Sequence, residues 1–190
     1  MQSHPQIHVE YPSWIGEVVA FDALLASRED RMRLAIRLAR ENVLRGAGGP
    51  FGALVVERDS GRIVSAGTNS VLRYNNSVLH GETVALMMAQ QRLGSFTLHR
   101  DDFPAHELVT SCEPCAMCLG AAHWSGVRSL VCGATRDDAT STNFDEGPVF
   151  PESYAYLEER GIEIVRGVLR DEALAVLHEY RERGGPVYNA

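Results

Sequence analysis

Glu107-Leu108-Val109-Thr110-Ser111-Cys112-Glu113-Pro114-Cys115-Ala116-Met117-Cys118 changes character within a dozen residues. Glu107 to Ser111 is short and rich in residues that favour a pleated surface, which predicts a strand. Cys112-Glu113-Pro114 leads out of it. Cys115 to Trp124 predicts a helix, with Pro114 near the first turn, where a missing N–H is tolerated. Val127 to Gly133 predicts the next strand. A strand, a helix and a second strand in this order imply parallel pairing.

The same alternation extends outward. Arg28 to Arg45 predicts an amphipathic helix, with Met32, Ala35, Ile36, Ala39 and Val43 on one face. Gly46-Ala47-Gly48-Gly49-Pro50 ends it. Phe51 to Glu57 and Arg62 to Gly67 predict a hairpin around Asp59-Ser60-Gly61. Asn69 to Leu79 reads as irregular, and Glu82 to Leu93 as a helix. Arg136 to Pro148 reads as a long loop. Glu152 to Arg160 predicts a helix, Ile162 to Leu169 a strand and Asp171 to Arg183 a last helix. The expected fold class is an α/β sandwich with parallel strands in the later part of its sheet. Ile15 to Leu25 predicts a short helix in an N-terminal extension, 1–28, packed on a domain spanning 29–190. The tail from Gly184 is expected to be loose unless docked.

Composition narrows the function. The chain has 190 residues and a formal charge of −7, which disfavours a long polyanion as the main partner. All 18 basic residues are Arg, so Schiff-base chemistry and a P-loop lysine are excluded. The N-terminus shows neither a basic region nor an apolar stretch, and no apolar run approaches a membrane span. The expectation is a cytoplasmic protein with no membrane partner. The four cysteines, Cys112, Cys115, Cys118 and Cys132, suit metal binding or redox chemistry better than structural disulfides in that setting.

The chemistry lies in His80-Gly81-Glu82 combined with Pro114-Cys115-Ala116-Met117-Cys118. One imidazole and two thiols can bind Zn2+, and Glu82 is not needed to bind it. Three protein ligands leave a coordination position open, the mark of a catalytic site. Helix N-termini at both motifs favour thiolates. Glu82 is then placed to exchange protons with a water activated at the metal. Three other readings compete: a closed Cys3His cage that adds Cys112, a redox Cys-x-x-Cys, and a coincidence of buried side chains. Cys132 reads as a core residue.

The pattern H-x-E…P-C-x-x-C is that of zinc-dependent nucleobase deaminases. The chain resembles the cytidine/deoxycytidylate deaminase superfamily, and within it the bacterial guanine deaminases. Gly49-Pro50-Phe51-Gly52-Ala53, Asn69, His80-Gly81-Glu82, Thr110 to Ala121, Trp124 and Phe144-Asp145-Glu146 carry the resemblance, which covers about residues 30 to 185. It implies a three-layer α/β/α fold around a five-stranded mixed sheet (cytidine deaminase-like), one zinc held by His80, Cys115 and Cys118, and Glu82 as proton carrier. It further implies a second acid at Glu146, with Asp145 beside it, and substrate contacts from Asn69, Phe51 and Trp124. Tyr188 is the candidate for a C-terminal aromatic that closes the pocket.

The implied activity is hydrolysis of guanine, a free purine base, to xanthine and ammonia. The implied assembly is a homodimer, with possible swapping of the C-terminal tail. Other readings stay open: a tRNA adenosine deaminase, a deaminase of another small amino-heterocycle, and a zinc-stabilised binding module without activity. Without the resemblance, Phe51 and Trp124 read as core residues, Asn69 as a turn former, and Asp145 and Glu146 as loop acids.

Overall fold

In the computed structural model, which describes residue 4 and residues 6–188, one mixed sheet separates two helical layers. Its strands are β1 (Gly52–Glu57), β2 (Ile63–Thr68), β3 (His106–Cys112), β4 (Ser129–Ala134) and β5 (Glu163–Val165), in the order β2-β1-β3-β4-β5. β1 pairs antiparallel with β2 and β3, and β3–β4 and β4–β5 are parallel. The hairpin comes from the Asp59-Ser60-Gly61 turn, and the parallel half from the helical crossovers that follow β3 and β4.

Every residue of β1, β2, β3 and β4 is buried, as expected for a sheet covered on both faces. On one face, α2 (Arg28–Leu44) and α8 (Arg170–Glu182) pack Met32, Ala35, Leu38, Val176 and Leu177 against Leu54, Val109 and Val131. On the other, α4 (Gly81–Leu93), α5 (Ala116–Ser125) and α7 (Pro151–Glu159) pack Ala85, Leu86, Leu119, Ala122 and Leu157 against Ala53, Val55, Leu108 and Leu130. The fold is the three-layer α/β/α sandwich around a five-stranded mixed sheet that the resemblance implies. Gly67 is needed here. A Cβ on it would lie 2.1 Å from the Gly81 carbonyl oxygen and 2.5 Å from the Ala85 nitrogen, so its absence lets the first turns of α4 rest on β2.

Four local expectations need correction. The Ile15 to Leu25 helix is one turn, α1 (Ile15–Val18). Beyond it Asp22 adopts φ 73°, and the chain pairs with the hairpin edge through the Leu24–Arg62 bridge. The segment after Asn69 contains the short α3 (Val71–Tyr74). The long loop from Arg136 begins as α6 (Arg136–Ser141), because Thr135 and Asp138 form a reciprocal capping box. The strand expected from Ile162 to Leu169 is confined to β5, and Gly167 at φ 75° turns the chain towards α8.

The N-terminal segment joins the main core through Trp14, Ile15, Val18 and Val19. Its earlier residues grip α3: the Glu10 N–H donates to the Tyr74 hydroxyl at 2.9 Å, and Arg73 donates to the carbonyls of Glu10 and Tyr11. The tail is docked as far as Tyr188. The Gly185 N–H donates to the Tyr180 carbonyl, and the Tyr180 hydroxyl donates to the Pro186 carbonyl at 2.8 Å. Asn189 and Ala190 lie outside the described residues.

Candidate active site

Two helix starts supply the metal-binding groups. His80 is the N-cap of α4, and Cys115 is the N-cap of α5; both have extended backbone. Cys118 lies in the first turn of α5. The ligating atoms of His80, Cys115 and Cys118 all lie within 4.8 Å of one another. Cys115 Sγ is 3.5 Å from His80 Nδ1. This spacing and the mixed nitrogen–sulfur donor set suit a tetrahedral zinc ion.

Cys112 is not a fourth ligand. Its side chain belongs to the core on the α2/α8 face, and its Sγ donates to the Thr135 carbonyl at 3.6 Å. The closed Cys3His reading fails because side chains alternate along β3, and Cys112 points to the opposite face from the metal cluster. Cys132 is buried in the α4/α5 core, as a core residue should be.

The electrostatics divide the two thiols. A hydrogen bond from Cys118, assisted by His80 and opposed by burial, brings Cys115 down to about 4. The charged Cys115 partner and burial push Cys118 well up.

Glu82 lies in the first turn of α4 and is 5% exposed. Its carboxylate accepts from Thr110 Oγ1 at 3.3 Å and from Cys118 Sγ at 3.5 Å. Burial, then the negative Cys115, raises its pKa. Glu146 approaches from the loop after α6. Its carbonyl accepts the first-turn N–H of Ala116 at 3.0 Å, which fixes that loop beside Cys115. Burial, then Cys115 and Glu82, pushes Glu146 up to about 8, favouring its neutral form. Asp145 is exposed and accepts from the Gly147 N–H at 2.8 Å, which shapes the turn. The two neighbouring acids therefore differ: Glu146 is the one set among the metal-binding groups.

A cavity of about 320 Å³ joins these groups. Phe51, His80, Glu82, Cys115, Phe144, Asp145, Glu146 and Tyr188 line it, with Ser77 and Met117. Phe144 is the aromatic centre of this wall. Its ring lies 4.9 Å from Phe51, 5.6 Å from Tyr188 and 6.0 Å from Tyr180.

Two expected substrate contacts stand elsewhere. Trp124 is 81% exposed and does not line the cavity. The buried side of α5 runs through Cys118, Leu119, Ala122 and Ser125, which leaves Trp124 on its outer side. It also lies seven residues beyond Met117, roughly 10 Å along the helix axis. Asn69 is near the cavity without forming its wall. It is 1% exposed, its Oδ1 accepts from the Val71 N–H at 3.3 Å, and its Nδ2 has no partner among the described residues. The Tyr188 hydroxyl, also buried and unpartnered, lies beside it.

Asn42 was missed in the sequence because it occupies an ordinary helical position. Its Nδ2 donates to the carbonyls of Gly49 and Asn69, at 2.9 Å each, tying together the two loops that flank the cavity. Asparagine within the apolar stripe of α2 is the signal that could have revealed it.

Residues 25–134 match the family described as the cytidine and deoxycytidylate deaminase zinc-binding region. The chain belongs to that family. It is a zinc-type aminohydrolase. Among its relatives, the guanine deaminase of Bacillus subtilis is 38% identical over 136 residues, covering 72% of this chain and 83% of the relative. A solved guanine deaminase of Nitrosomonas europaea is 44% identical, with TM-score 0.90, covering 96% of this chain and all of that one. The tRNA-specific adenosine deaminase of Buchnera aphidicola is 28% identical over 131 residues, covering 69% of this chain and 79% of the relative. Among the described residues, no helix is long and apolar enough to cross a membrane.

Proposed function

We propose that the chain hydrolyses guanine to xanthine and ammonia, using one zinc ion held by His80, Cys115 and Cys118. The observation that carries this reading is the convergence of the buried Glu82 and the half-buried Glu146 with His80 and Cys115 on one cavity, Cys118 completing the metal-binding cluster beside it. The greater similarity to guanine deaminases than to a tRNA deaminase supports the choice of base.

Bound zinc lowers the pKa of water towards about 7, supplying a nucleophile at neutral pH. Glu82 takes a proton from the attacking water and returns it to the ring nitrogen next to the carbon under attack. Glu146 gives a proton to the departing amino group as the C–N bond breaks, and the hydroxyl left on that carbon returns a proton to the acid as it becomes the xanthine carbonyl. Two acids suit a reaction in which protons reach two different atoms. Thr110 orients Glu82 through its hydroxyl. Phe51 and Phe144 pack against the planar base, and Asn69 and Tyr188 provide the nearest unpartnered polar groups for its edge. Asp145 shapes the loop that carries Glu146.

Residues 29–190 act as the deaminase domain, with 1–28 as an extension packed on it, in a cytoplasmic enzyme of purine metabolism. Its homodimer contact uses the exposed Met87, Met117 and Trp124 of α4 and α5. The tail closes its own chain's site, given that Tyr188 reaches that cavity.

Purified zinc-loaded protein should be offered guanine, adenine, cytosine, cytidine, guanosine and tRNA, with ammonia measured for each. Release from guanine alone is the expected result. Release from tRNA alone would overturn the reading. Retained zinc with no release from any of them would make the chain a binding module.

A further inference from the structure

A second crevice, of about 560 Å³, adjoins the catalytic cavity, and Glu113 lines both. It lies beyond the carboxyl ends of β4 and β5: Thr135 and Arg136 follow β4, and Arg166 follows β5. In open α/β sheets, ligands bind outside the carboxyl ends of parallel strands. Its size is within the range of small-molecule sites, about 300–1,000 Å³.

Three arginines line this crevice, and they are differently engaged. Arg170 makes two hydrogen bonds of 2.8 Å to Asp138. Arg136 makes a single side-chain hydrogen bond among the described residues, from Nη1 to the Val149 carbonyl. The Arg166 guanidinium lies 4.5 Å from the centre of the Tyr154 ring and 3.6 Å from Glu113 Oε1. Glu113 Oε2 already accepts the Arg136 backbone N–H at 3.1 Å. Tyr154 is 6% exposed, and its buried hydroxyl has no partner among the described residues. The ionisable groups around it are Glu113, the buried Cys132, Arg166 and Arg136. Asp137 and Glu158 stand exposed at the rim and oppose an extended polyanion.

The crevice sets three arginines against Glu113, Asp137 and Glu158, and within it Arg136 and the Tyr154 hydroxyl keep unused donor capacity. Leaving a buried hydroxyl unpaired is costly, and the planar arginine fork fits the oxygens of a phosphate. We infer that this crevice binds a phosphate group, free or carried by a small ester, through Arg136, Arg166 and the Tyr154 hydroxyl. The inference is independent of the base deaminated next door.

The test is calorimetric titration of the zinc-loaded protein with UMP, uridine and inorganic phosphate. Uracil has no exocyclic amino group, so the probe cannot be deaminated. UMP should bind and uridine should not. Tyr154→Phe and Arg166→Gln should each weaken UMP by about tenfold, the equivalent of one good hydrogen bond. Tyr154→Phe should melt at or above the wild-type temperature, since it removes an unpaired buried hydroxyl, and this separates lost binding from lost folding. Inorganic phosphate binding as tightly as UMP, with the same losses, assigns the site to free phosphate; tighter UMP assigns it to the ester. Uridine binding as well as UMP, UMP binding untouched by both variants, or no binding of UMP or phosphate would overturn the inference.

Discussion

Glu82 is a carboxylate placed where water is scarce. It is buried at the cavity wall, and it rests between the hydroxyl of Thr110 and the sulfur of Cys118. Its position two residues after His80 was legible in the sequence; its Thr110 partner was not, because that contact joins α4 to β3 across the fold. Glu82→Gln keeps the shape and removes the base. Zinc content should stay at the wild-type level while turnover falls by about 10²–10⁴, the usual worth of a general acid–base group. Glu146→Gln should lose a similar factor with zinc again retained. A rate near wild type for either variant would remove that residue from the mechanism. Trp124 is the opposite case: the family resemblance implies a pocket wall and its residue type alone a core position, yet the buried side of α5 turns it outwards.

At the scale of elements, α6 shows what a loop-like composition can hide. Asp, Thr and Ser dominate it, but Thr135 followed by Asp138 is a helix-start signature that the residues displayed openly. Asp138 accepts from the Thr135 N–H at 2.8 Å and from Nε and Nη2 of Arg170, so one carboxylate joins α6 to α8. The Arg170 hydrogen bonds hold its pKa well below the ordinary 3.8, against the effect of burial. A lowered folded pKa contributes stability that is present above the ordinary Asp value and lost as pH falls through the folded one. Asp138→Asn should therefore destabilise the protein by about 1 kcal/mol at pH 7. The gap from wild type should narrow below about pH 4, where the wild-type contribution fades. Denaturant melts at pH 7 and pH 3 measure this; an equal gap at both would contradict it. The clasp of Glu10 and Tyr11 on α3 left no local pattern, since it depends on partners more than sixty residues away.

For the whole molecule, short apolar runs alternating with amphipathic helices made an α/β sandwich with parallel later strands readable, because strands covered on both faces are continuously apolar and helix faces repeat about every 3.6 residues. The metal cluster was readable for a different reason: the helix starts fix where His80, Cys115 and Cys118 must lie. The cavity's far wall was harder to anticipate, because Phe144 and Tyr188 meet only after α8 brings the tail back. Two measurements belong at this scale. Removing zinc with a chelator should lower the melting temperature, since the ion binds the folded chain through both α4 and α5; an unchanged temperature would show that the ion adds nothing to stability. In light scattering, the wild type should have twice the mass of one chain, and Trp124→Glu should shift it towards a monomer. An unchanged dimer would place the contact elsewhere.

Tyr188 gives the tail a practical significance. Its ring lies against Phe144, and its hydroxyl fills the space beside Gly49, where a Cβ would come within 1.8 Å of it. A purification tag or fusion partner joined after Ala190 thus begins two residues beyond Tyr188, which lines the catalytic cavity. Such a fusion should show a raised KM for the base, with normal zinc content, while the same tag at the other end should leave KM unchanged. Equal KM values for the two fusions would show that the tail tolerates a load, and that the enzyme can be tethered at either end.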